Sequence, residues 1–407
     1  MKRHSTSIGK KSSLTWLGLV IAMVSGMYTL DGQQPATPMR LDAPMGTAAV
    51  SPEGNHIAMV LGRSAQQEDG SWENARWIEI WEPASSKVMA KVDMPSLALF
   101  KGATFPWGFI SYCDRGRYLA AYDLIDTVYV LDATTYRVES RIGLSDVLRH
   151  DPVGTGTIRG LRMACSANAS VLVMSAYGGP FGLGVVRLFN LATGEPIAEL
   201  HQDSSAGETF QDVDLSPDGS KLAVLLESST RRPLKALNVE IRETRRLKLV
   251  RTLSTGDVPR GLIFAGESEI VTVQERPSRP WWPPKQVLRL WDLESGKEER
   301  RFSDAQVDVE GPISSSADGK MILGNLFTYR DYRLCNGLEG CRKLVKQQCA
   351  VWDKRTGAQI FRSEPFEPIG QPFSARCVLS QNGAVAMVQW PHNVIAPRLF
   401  QIRQPGS

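Results

Sequence analysis

Side chains that could do chemistry are few and scattered in this chain. Its histidines, the usual metal ligands and proton carriers, stand singly at positions 4, 56, 150, 201 and 392. The sequence has no C-x-x-C-H motif for haem attachment and no G-x-S-x-G motif of a serine hydrolase. It therefore predicts neither a metal site nor a cofactor and favours a protein that is not an enzyme. Carboxylates that converge from distant parts of the chain are not excluded.

The six cysteines fall into two groups. Three lie close together in CNGLEGCRKLVKQQC, at Cys335, Cys341 and Cys349. We expect a Cys335–Cys341 disulfide at the end of a lengthened hairpin, with Cys349 left over at the start of the next strand. The other three are expected to be buried free thiols that pack as small apolar side chains, at Cys113, Cys165 and Cys377.

The N-terminus has the pattern of an export signal. Four basic residues and no acid precede an uncharged stretch from Leu14 to Leu30. We expect residues 1–30 to be a signal peptide or signal anchor that places the rest of the chain in the periplasm or outside the cell. The sequence leaves open whether this segment is cleaved or stays in the membrane through residues 14–30. The chain's net charge of +4 equals that of this segment, so the rest is neutral and nucleic acid is not an expected partner.

After a linker at residues 31–38, a turn followed by an apolar strand recurs seven times. The clearest copy is SPDGSKLAVL (216–225), where Pro217 and Gly219 have the conformations that a tight hairpin turn needs. The apolar anchor residues of the copies are 48 to 63 residues apart, at Ile57, Leu119, Leu172, Leu222, Ile270, Ile322 and Val385. Most copies are followed by a second hairpin. This period predicts an all-β fold over residues 39–407, a seven-bladed β-propeller of four-stranded antiparallel blades.

The repeats resemble those of the WD40 and WD40-like propellers. Trp291-Asp292 and Trp352-Asp353 match the Trp-Asp ending of the family's third strand, and SPDGSKLAV is similar to the Pro-Asp-Gly repeats of TolB-type propellers. The Gly-His dipeptide of WD40 blades is missing, so its histidine network is not carried over. The resemblance implies the fold and a binding role. We expect the tryptophans to pack between blades and Asp132, Asp292 and Asp353 to cap turns.

The chain ends inside its seventh repeat. Residues 397–403 supply a third strand, and we expect the segment from Pro38 to Asp42 to pair beside it as the fourth.

With strands a to d numbered from the ring axis outwards, the a–b and c–d turns are short and the insertions fall in the b–c connections. Those of blades 4, 5 and 6 carry net charges of +2, +2 and +3, whereas Asp123 and Asp126 make blade 2 acidic. Aromatic residues and arginines are typical of binding hot spots. The candidate binding residues are therefore Arg279, Trp281, Trp282, Tyr329, Arg330, Tyr332 and Arg333.

The leading functional prediction is a non-enzymatic binding scaffold that recruits a protein or peptide, with an acidic partner favoured by the basic insertions. The alternative is a propeller enzyme or enzyme subunit, of the lactonase or dehydrogenase-subunit kind, acting at the mouth of the channel. A third arrangement is a propeller that faces the cytosol from a membrane anchor. A disulfide in the blade 6 insertion would argue against that arrangement.

Overall fold

A computed structural model describes residues 47–66, 72–94, 109–123, 127–144, 158–178, 183–201, 208–228, 238–255, 258–276, 285–302, 308–332, 341–366, 376–389 and 398–402. In these ranges the regular structure consists of strands joined by turns. No helix that could cross a membrane occurs in this part of the chain.

The strands form seven antiparallel sheets, each built in chain order from the inside outwards. Blade 1 contains β1 (Ala48–Val50), β2 (Ile57–Gln66), β3 (Trp72–Glu82) and β4 (Lys87–Met94), and blade 2 contains β5 (Ile110–Cys113), β6 (Tyr118–Tyr122), β7 (Thr127–Asp132) and β8 (Val138–Gly143). Blade 3 contains β9 (Ile158–Cys165), β10 (Val171–Gly178), β11 (Leu183–Asn190) and β12 (Pro196–His201), and blade 4 contains β13 (Glu208–Leu215), β14 (Lys221–Ser228), β15 (Asn238–Glu243) and β16 (Leu249–Ser254).

Blade 5 contains β17 (Val258–Phe264), β18 (Glu269–Arg276), β19 (Lys285–Asp292) and β20 (Glu298–Phe302). Blade 6 contains β21 (Asp308–Ser315), β22 (Met321–Tyr332), β23 (Cys341–Asp353) and β24 (Gln359–Arg362), and the described part of blade 7 contains β25 (Arg376–Leu379), β26 (Val385–Gln389) and β27 (Arg398–Gln401).

The sheets close into a ring through their innermost strands. Each first strand contacts the first strand of the next blade, from β1 through β5, β9, β13, β17 and β21 to β25, and β25 contacts β1. The predicted seven-bladed propeller is confirmed. The expected pairing of residues 38–42 beside β27 stays a prediction, because those residues and the leader lie outside the described ranges.

The a–b turns bind one another around the ring. The Asn168 N–H donates to the Pro217 carbonyl at 2.7 Å, and the Ala317 N–H donates to the Gln381 carbonyl at 2.7 Å. The Asn382 N–H donates to the Pro52 carbonyl at 3.1 Å, which joins blade 7 to blade 1. These bonds satisfy turn backbone groups and tie the blades together on one face, which we call the turn face.

Glycine is required where these turns meet. Gly219 has φ +69°, the left-handed conformation that the Pro-Asp-Gly repeat predicts. Gly319 has φ +66°, and a Cβ built there would lie 2.5 Å from the backbone of Ala265 in the preceding blade. The turn of blade 6 therefore excludes any side chain at this position.

The core consists of apolar layers between neighbouring blades. Trp291 and Trp352 are buried there, and the Trp291 Nε1–H donates to Thr272 Oγ1 at 2.9 Å. Asp292 and Asp353 each accept a turn N–H at 2.6 Å, and Asp132 caps its own turn in the same way. These hydrogen bonds lower the pKa of all three carboxyl groups. The expected packing tryptophans and capping aspartates are confirmed.

The prediction of free thiols is wrong. Cys113 in β5 is bonded to Cys165 in β9, which ties blade 2 to blade 3 with a Cα separation of 5.7 Å. Cys349, expected to be left over, is bonded to Cys377 in β25, which ties blade 6 to blade 7 at 5.9 Å. The ring places strands of adjacent blades at the separation that a disulfide needs, although the paired residues are far apart in sequence.

Candidate functional site

The hairpin of β22 and β23 extends beyond the rest of blade 6. These strands have 12 and 13 residues, but β21 pairs with β22 only as far as Phe327, and β24 pairs with β23 only from Ala350 to Trp352. Among the described residues, 328–332 and 341–346 pair only with each other, and we call this two-stranded segment the blade 6 arm. The described part of the b–c insertion expected in blade 6 is therefore strand, because the antiparallel ladder continues to the pair Tyr332 and Cys341.

The blade 6 arm carries part of the predicted binding set. Its register places Tyr329 opposite Leu344 and Arg330 opposite Lys343. Tyr332 also lies in β22. Several other predicted residues lie outside the described ranges and stay predictions, namely Arg279, Trp281, Trp282, Arg333 and Cys335. The Cys335–Cys341 disulfide is therefore untested.

The base of the blade 6 arm is fixed by buried polar contacts. Asn325 and Gln347 are fully buried, and the Gln347 Nε2–H donates to Asn325 Oδ1 at 3.3 Å. The backbones of Gln347 and Phe366 exchange two hydrogen bonds of 2.9 Å. The Cys349–Cys377 disulfide lies two residues farther along β23. A satisfied buried network of this kind holds one arrangement, so the arm stands on a rigid base.

A second arm, defined in the same way among the described residues, lies in blade 1 at residues 63–66 and 72–75. The pairing of β2 and β3 runs to Gln66 and Trp72, past the last residues that β1 and β4 cover. At its base the Arg76 guanidinium donates to the Asp123 carbonyl, and burial lowers the pKa of Arg76. Because the ring order is blade 6, blade 7, blade 1, the two arms flank blade 7.

Asp123 does not contribute surface charge as expected. It is only 4% exposed, and its carboxylate accepts the Thr127 N–H at 3.1 Å inside the b–c turn of blade 2. Its short side chain satisfies the turn backbone, which is why it lies inside. Asp123 therefore does not add to the negative surface charge that was predicted for blade 2. Asp126, the other residue of that prediction, lies outside the described ranges.

Gln274 is a residue that the sequence reasoning missed. It is fully buried two residues before the end of β18, and neither amide atom has a hydrogen-bond partner among the described residues. Ile270 on the same strand face packs in the core layer between blades 4 and 5, so Gln274 faces that boundary. Because buried amides are usually satisfied, this one stands out among the buried polar groups of the described residues.

The ring axis holds a cavity of about 320 Å³. First strands of all seven blades contribute to its wall, together with residues of the a–b turns. At the turn face the Gln381 Nε2–H of blade 7 donates to the Tyr112 carbonyl of blade 2 at 2.7 Å. This bond joins blades 7 and 2, which are not adjacent in the ring.

A charged layer lies farther from the turn face. Arg162, Asp212 and Arg376 each stand four residues before the serine at which their a–b turn begins, so they lie at one level of the ring. Phe109 lines the cavity, and Arg162 Nε lies 3.9 Å from Asp212 Oδ1. Burial, with a contribution from the nearby Arg162 charge, lowers the pKa of Arg376 to about 10. The positive charge of Arg162 in blade 3 therefore acts on Arg376 in blade 7.

Two carboxylates from β13 bind the open edge of β17. Asp212 Oδ2 accepts the Leu262 N–H at 3.0 Å, and Asp214 Oδ2 accepts the Phe264 N–H at 2.7 Å. Burial raises the pKa of Asp212 to about 6 and that of Asp214 to about 7, against the effect of these hydrogen bonds. The pair satisfies backbone donors of the next blade, which is a structural use of carboxylates in the channel. In the described ranges no three His, Cys, Asp or Glu side chains are grouped as metal ligands.

Comparison with protein-family models and with curated proteins finds no match to this chain.

Proposed function

We propose that this chain is a WD40-like binding scaffold, without enzymatic activity, that recruits a protein or peptide outside the cytoplasm. The propeller fold is a rigid ring whose variable connections lie on the face opposite the turn face, and binding residues concentrate on such connections. The b–c connections of blades 4 to 6 form the proposed binding surface.

The blade 6 arm is the observation that carries this proposal. Its ladder contains Tyr329, Arg330 and Tyr332 on one strand and three cations on the other, Arg342, Lys343 and Lys346. Aromatic residues beside arginines favour contact with a protein surface, and the excess of cations favours an acidic one. The rigid base of the arm keeps these residues in place and lowers the entropy lost on binding.

Export is supported by two independent features. The basic and apolar pattern of residues 1–30 is typical of an export signal. The Cys113–Cys165 and Cys349–Cys377 disulfides are of a kind that persists in oxidising compartments.

The test is a capture experiment from an envelope extract, with binding then measured to the purified partner. Replacing residues 329–345 by Asn-Gly joins Thr328 to Lys346, which are paired in the ladder, through a two-residue hairpin turn. We expect this variant to lose the partner while its melting temperature stays unchanged.

The matched control replaces residues 63–75 by Asn-Gly and so joins Gly62 to Arg76, which are also paired. It removes the blade 1 arm and should keep the partner. Equal binding by the two shortened variants would refute the assignment to the blade 6 arm.

A further inference from the structure

Exposed apolar side chains lie at one level of the ring in three of its blades. In the described ranges, the large apolar residues that stay more than a third exposed are Val88, Met89, Ile197, Leu249 and Val250. Each lies within the first three residues of an outer strand, β4, β12 or β16. The outer strands start at the c–d turns, which lie on the same face as the a–b turns because successive antiparallel strands reverse direction. These apolar residues therefore lie on the outer rim of the turn face.

The fold does not require apolar side chains at these positions. Met89, Ile197 and Val250 are each the extra residue of a β-bulge, where the outer strand shifts register against its neighbour. The same bulge position holds Glu139 in blade 2 and Glu299 in blade 5, and both are exposed. Apolar surface that the core does not need often marks an interaction site.

In blade 4, cations lie directly beside the apolar pair of β16. Arg245, Arg246 and Lys248 are exposed in the c–d turn that leads into this strand. They form no ion pair with any residue that the structure describes. With the exposed Glu243 at its start, the turn carries three cations and one acid. We call residues 245–250 the blade 4 rim.

The turn that carries these cations is held in one conformation. The Thr244 hydroxyl donates to a carbonyl of the a–b turn at 2.8 Å, and the Arg242 guanidinium donates to the Leu247 carbonyl at 2.7 Å. Leu247 has φ +52° and is only 6% exposed, because its side chain packs in the apolar layer between blades 3 and 4. The blade 4 rim is therefore presented rigidly, which lowers the entropy lost when a partner binds.

Blade 1 has the same arrangement without the arginines. In its c–d hairpin, Lys87, Val88 and Met89 occupy the positions of the lysine and the apolar pair of blade 4. Ala84 and Ser85 stand where blade 4 has its two arginines. The arginines therefore distinguish the blade 4 rim from an otherwise similar surface of the same chain.

The charge of the turn face indicates what kind of partner fits this rim. The a–b turns on that face carry more acids than cations. The acids are Glu53, Asp114, Asp218, Glu267 and Asp318, and the cations are Arg115, Arg117 and Lys320. An anionic membrane that lay flat on this face would meet those acids, whereas a protein segment can contact the rim alone. The observations therefore favour a protein partner.

We propose that the blade 4 rim binds an acidic, partly apolar segment of a protein. Carboxylates of this segment would pair with Arg245, Arg246 and Lys248, and its apolar side chains would cover Leu249 and Val250. Guanidinium groups bind carboxylates through charge-assisted hydrogen bonds of fixed geometry. This surface is separate from the b–c connections, so it does not depend on the proposed scaffold function.

The test measures, by fluorescence anisotropy, binding of the full chain to a short fluorescent peptide of alternating glutamate and leucine. We expect saturable binding, and much weaker binding of peptides in which glutamine replaces glutamate or serine replaces leucine. Arg245→Gln combined with Arg246→Gln should weaken binding about tenfold, because two ion pairs are lost. Leu249→Ser combined with Val250→Ser should weaken it by a similar factor, because the apolar contact is lost.

The matched control is Val88→Ser combined with Met89→Ser, which removes the corresponding apolar pair of blade 1. It should leave peptide affinity unchanged. The variant in which Asn-Gly replaces residues 329–345 should also keep the peptide, which separates this surface from the blade 6 arm. Melting temperatures of the rim variants should match that of the wild type, because the changed side chains are exposed.

Four results would overturn the proposal. They are no binding of the peptide by the wild type, wild-type affinity in the double arginine variant, an equal loss from the blade 1 control, and loss of binding on removal of the blade 6 arm. Displacement of the peptide by phosphatidylglycerol vesicles but not by phosphatidylcholine vesicles would also contradict it, because the partner would then be a membrane.

Discussion

The two faces of the ring are held in different ways. On the turn face, backbone hydrogen bonds join one a–b turn to the next, and Gly319 packs against the neighbouring backbone. On the opposite face, β2 with β3 and β22 with β23 continue past the strands that flank them and form the two arms, which pair with no other strand in the described ranges. The same repeat thus produces one face fixed by backbone contacts and one that accepts insertions.

The two faces should therefore respond differently to substitution. Changes on the turn face or in the inner strands alter contacts between blades and should affect the free energy of unfolding. Changes in the arms leave those contacts intact and should affect partner binding instead.

Loss of an inter-blade disulfide should have the largest effect. We expect Cys349→Ser combined with Cys377→Ser to reduce the free energy of unfolding by about 2–4 kcal/mol, because the bond closes a long chain segment. Urea denaturation measures the change, and the Cys113→Ser, Cys165→Ser pair should show a similar loss. Non-reducing peptide mapping that recovered a Cys341–Cys349 peptide would contradict this pairing.

Gly319→Ala should destabilise the ring by roughly 1–3 kcal/mol, because it combines a left-handed φ with a Cβ that meets the Ala265 backbone. The control is Gly143→Ala at the end of β8, where an added Cβ has no neighbour within 4 Å. That variant should stay within about 0.5 kcal/mol of the wild type. Equal melting temperatures for the two variants would show that the turn contact is unimportant.

The Asp214 carboxyl should make stability depend on pH. Its pKa in the folded chain is about 7, above the ordinary 3.8, so between these values the folded state holds a proton that the unfolded state releases. Stability should therefore fall as pH rises through this window, by at most about 1.4 kcal/mol per pH unit. Melting temperatures should decline less for Asp214→Asn than for the wild type, and parallel curves would refute the assignment.

The blade count was predictable because its signals are local. Each a–b turn carries its own Gly or Asn residues, and an apolar strand follows within a few positions, so the period is visible along the chain. The capping roles of Asp292 and Asp353 follow for the same reason, since their partners are two or three residues away.

Contacts between blades were not predictable in this way. Cys113 and Cys165 are 52 residues apart in sequence. They become neighbours only because the ring places the innermost strands of consecutive blades side by side. The Asp212 and Asp214 pair had a visible signal, two acids on one face of an inner strand. Its hydrogen bonds to β17, however, depend on how blades 4 and 5 pack. Likewise, Asp123 was expected to be exposed, but it is buried and accepts the Thr127 N–H.

Charge reversal on the proposed binding surface should have the smallest effect. Arg330→Glu with Arg333→Glu should weaken partner binding mainly at low salt, because exposed charges act through long-range attraction that salt screens. Lys297→Glu, in an exposed c–d turn of the turn face, should have no effect. Partner affinities of the two variants, measured at two salt concentrations, test these expectations. If Lys297→Glu weakened partner binding as much as the double arginine variant, partner binding could not be assigned to one face.

The most direct test of the binding face concerns the tryptophans of the blade 5 connection. We expect Trp281→Ala with Trp282→Ala to lower partner affinity by about 2 kcal/mol or more, as aromatic hot spots do, and to leave the melting temperature unchanged. Both quantities should be measured on the same purified variant. A lower melting temperature without selective loss of the partner would contradict the account, because these residues would then stabilise the ring rather than bind.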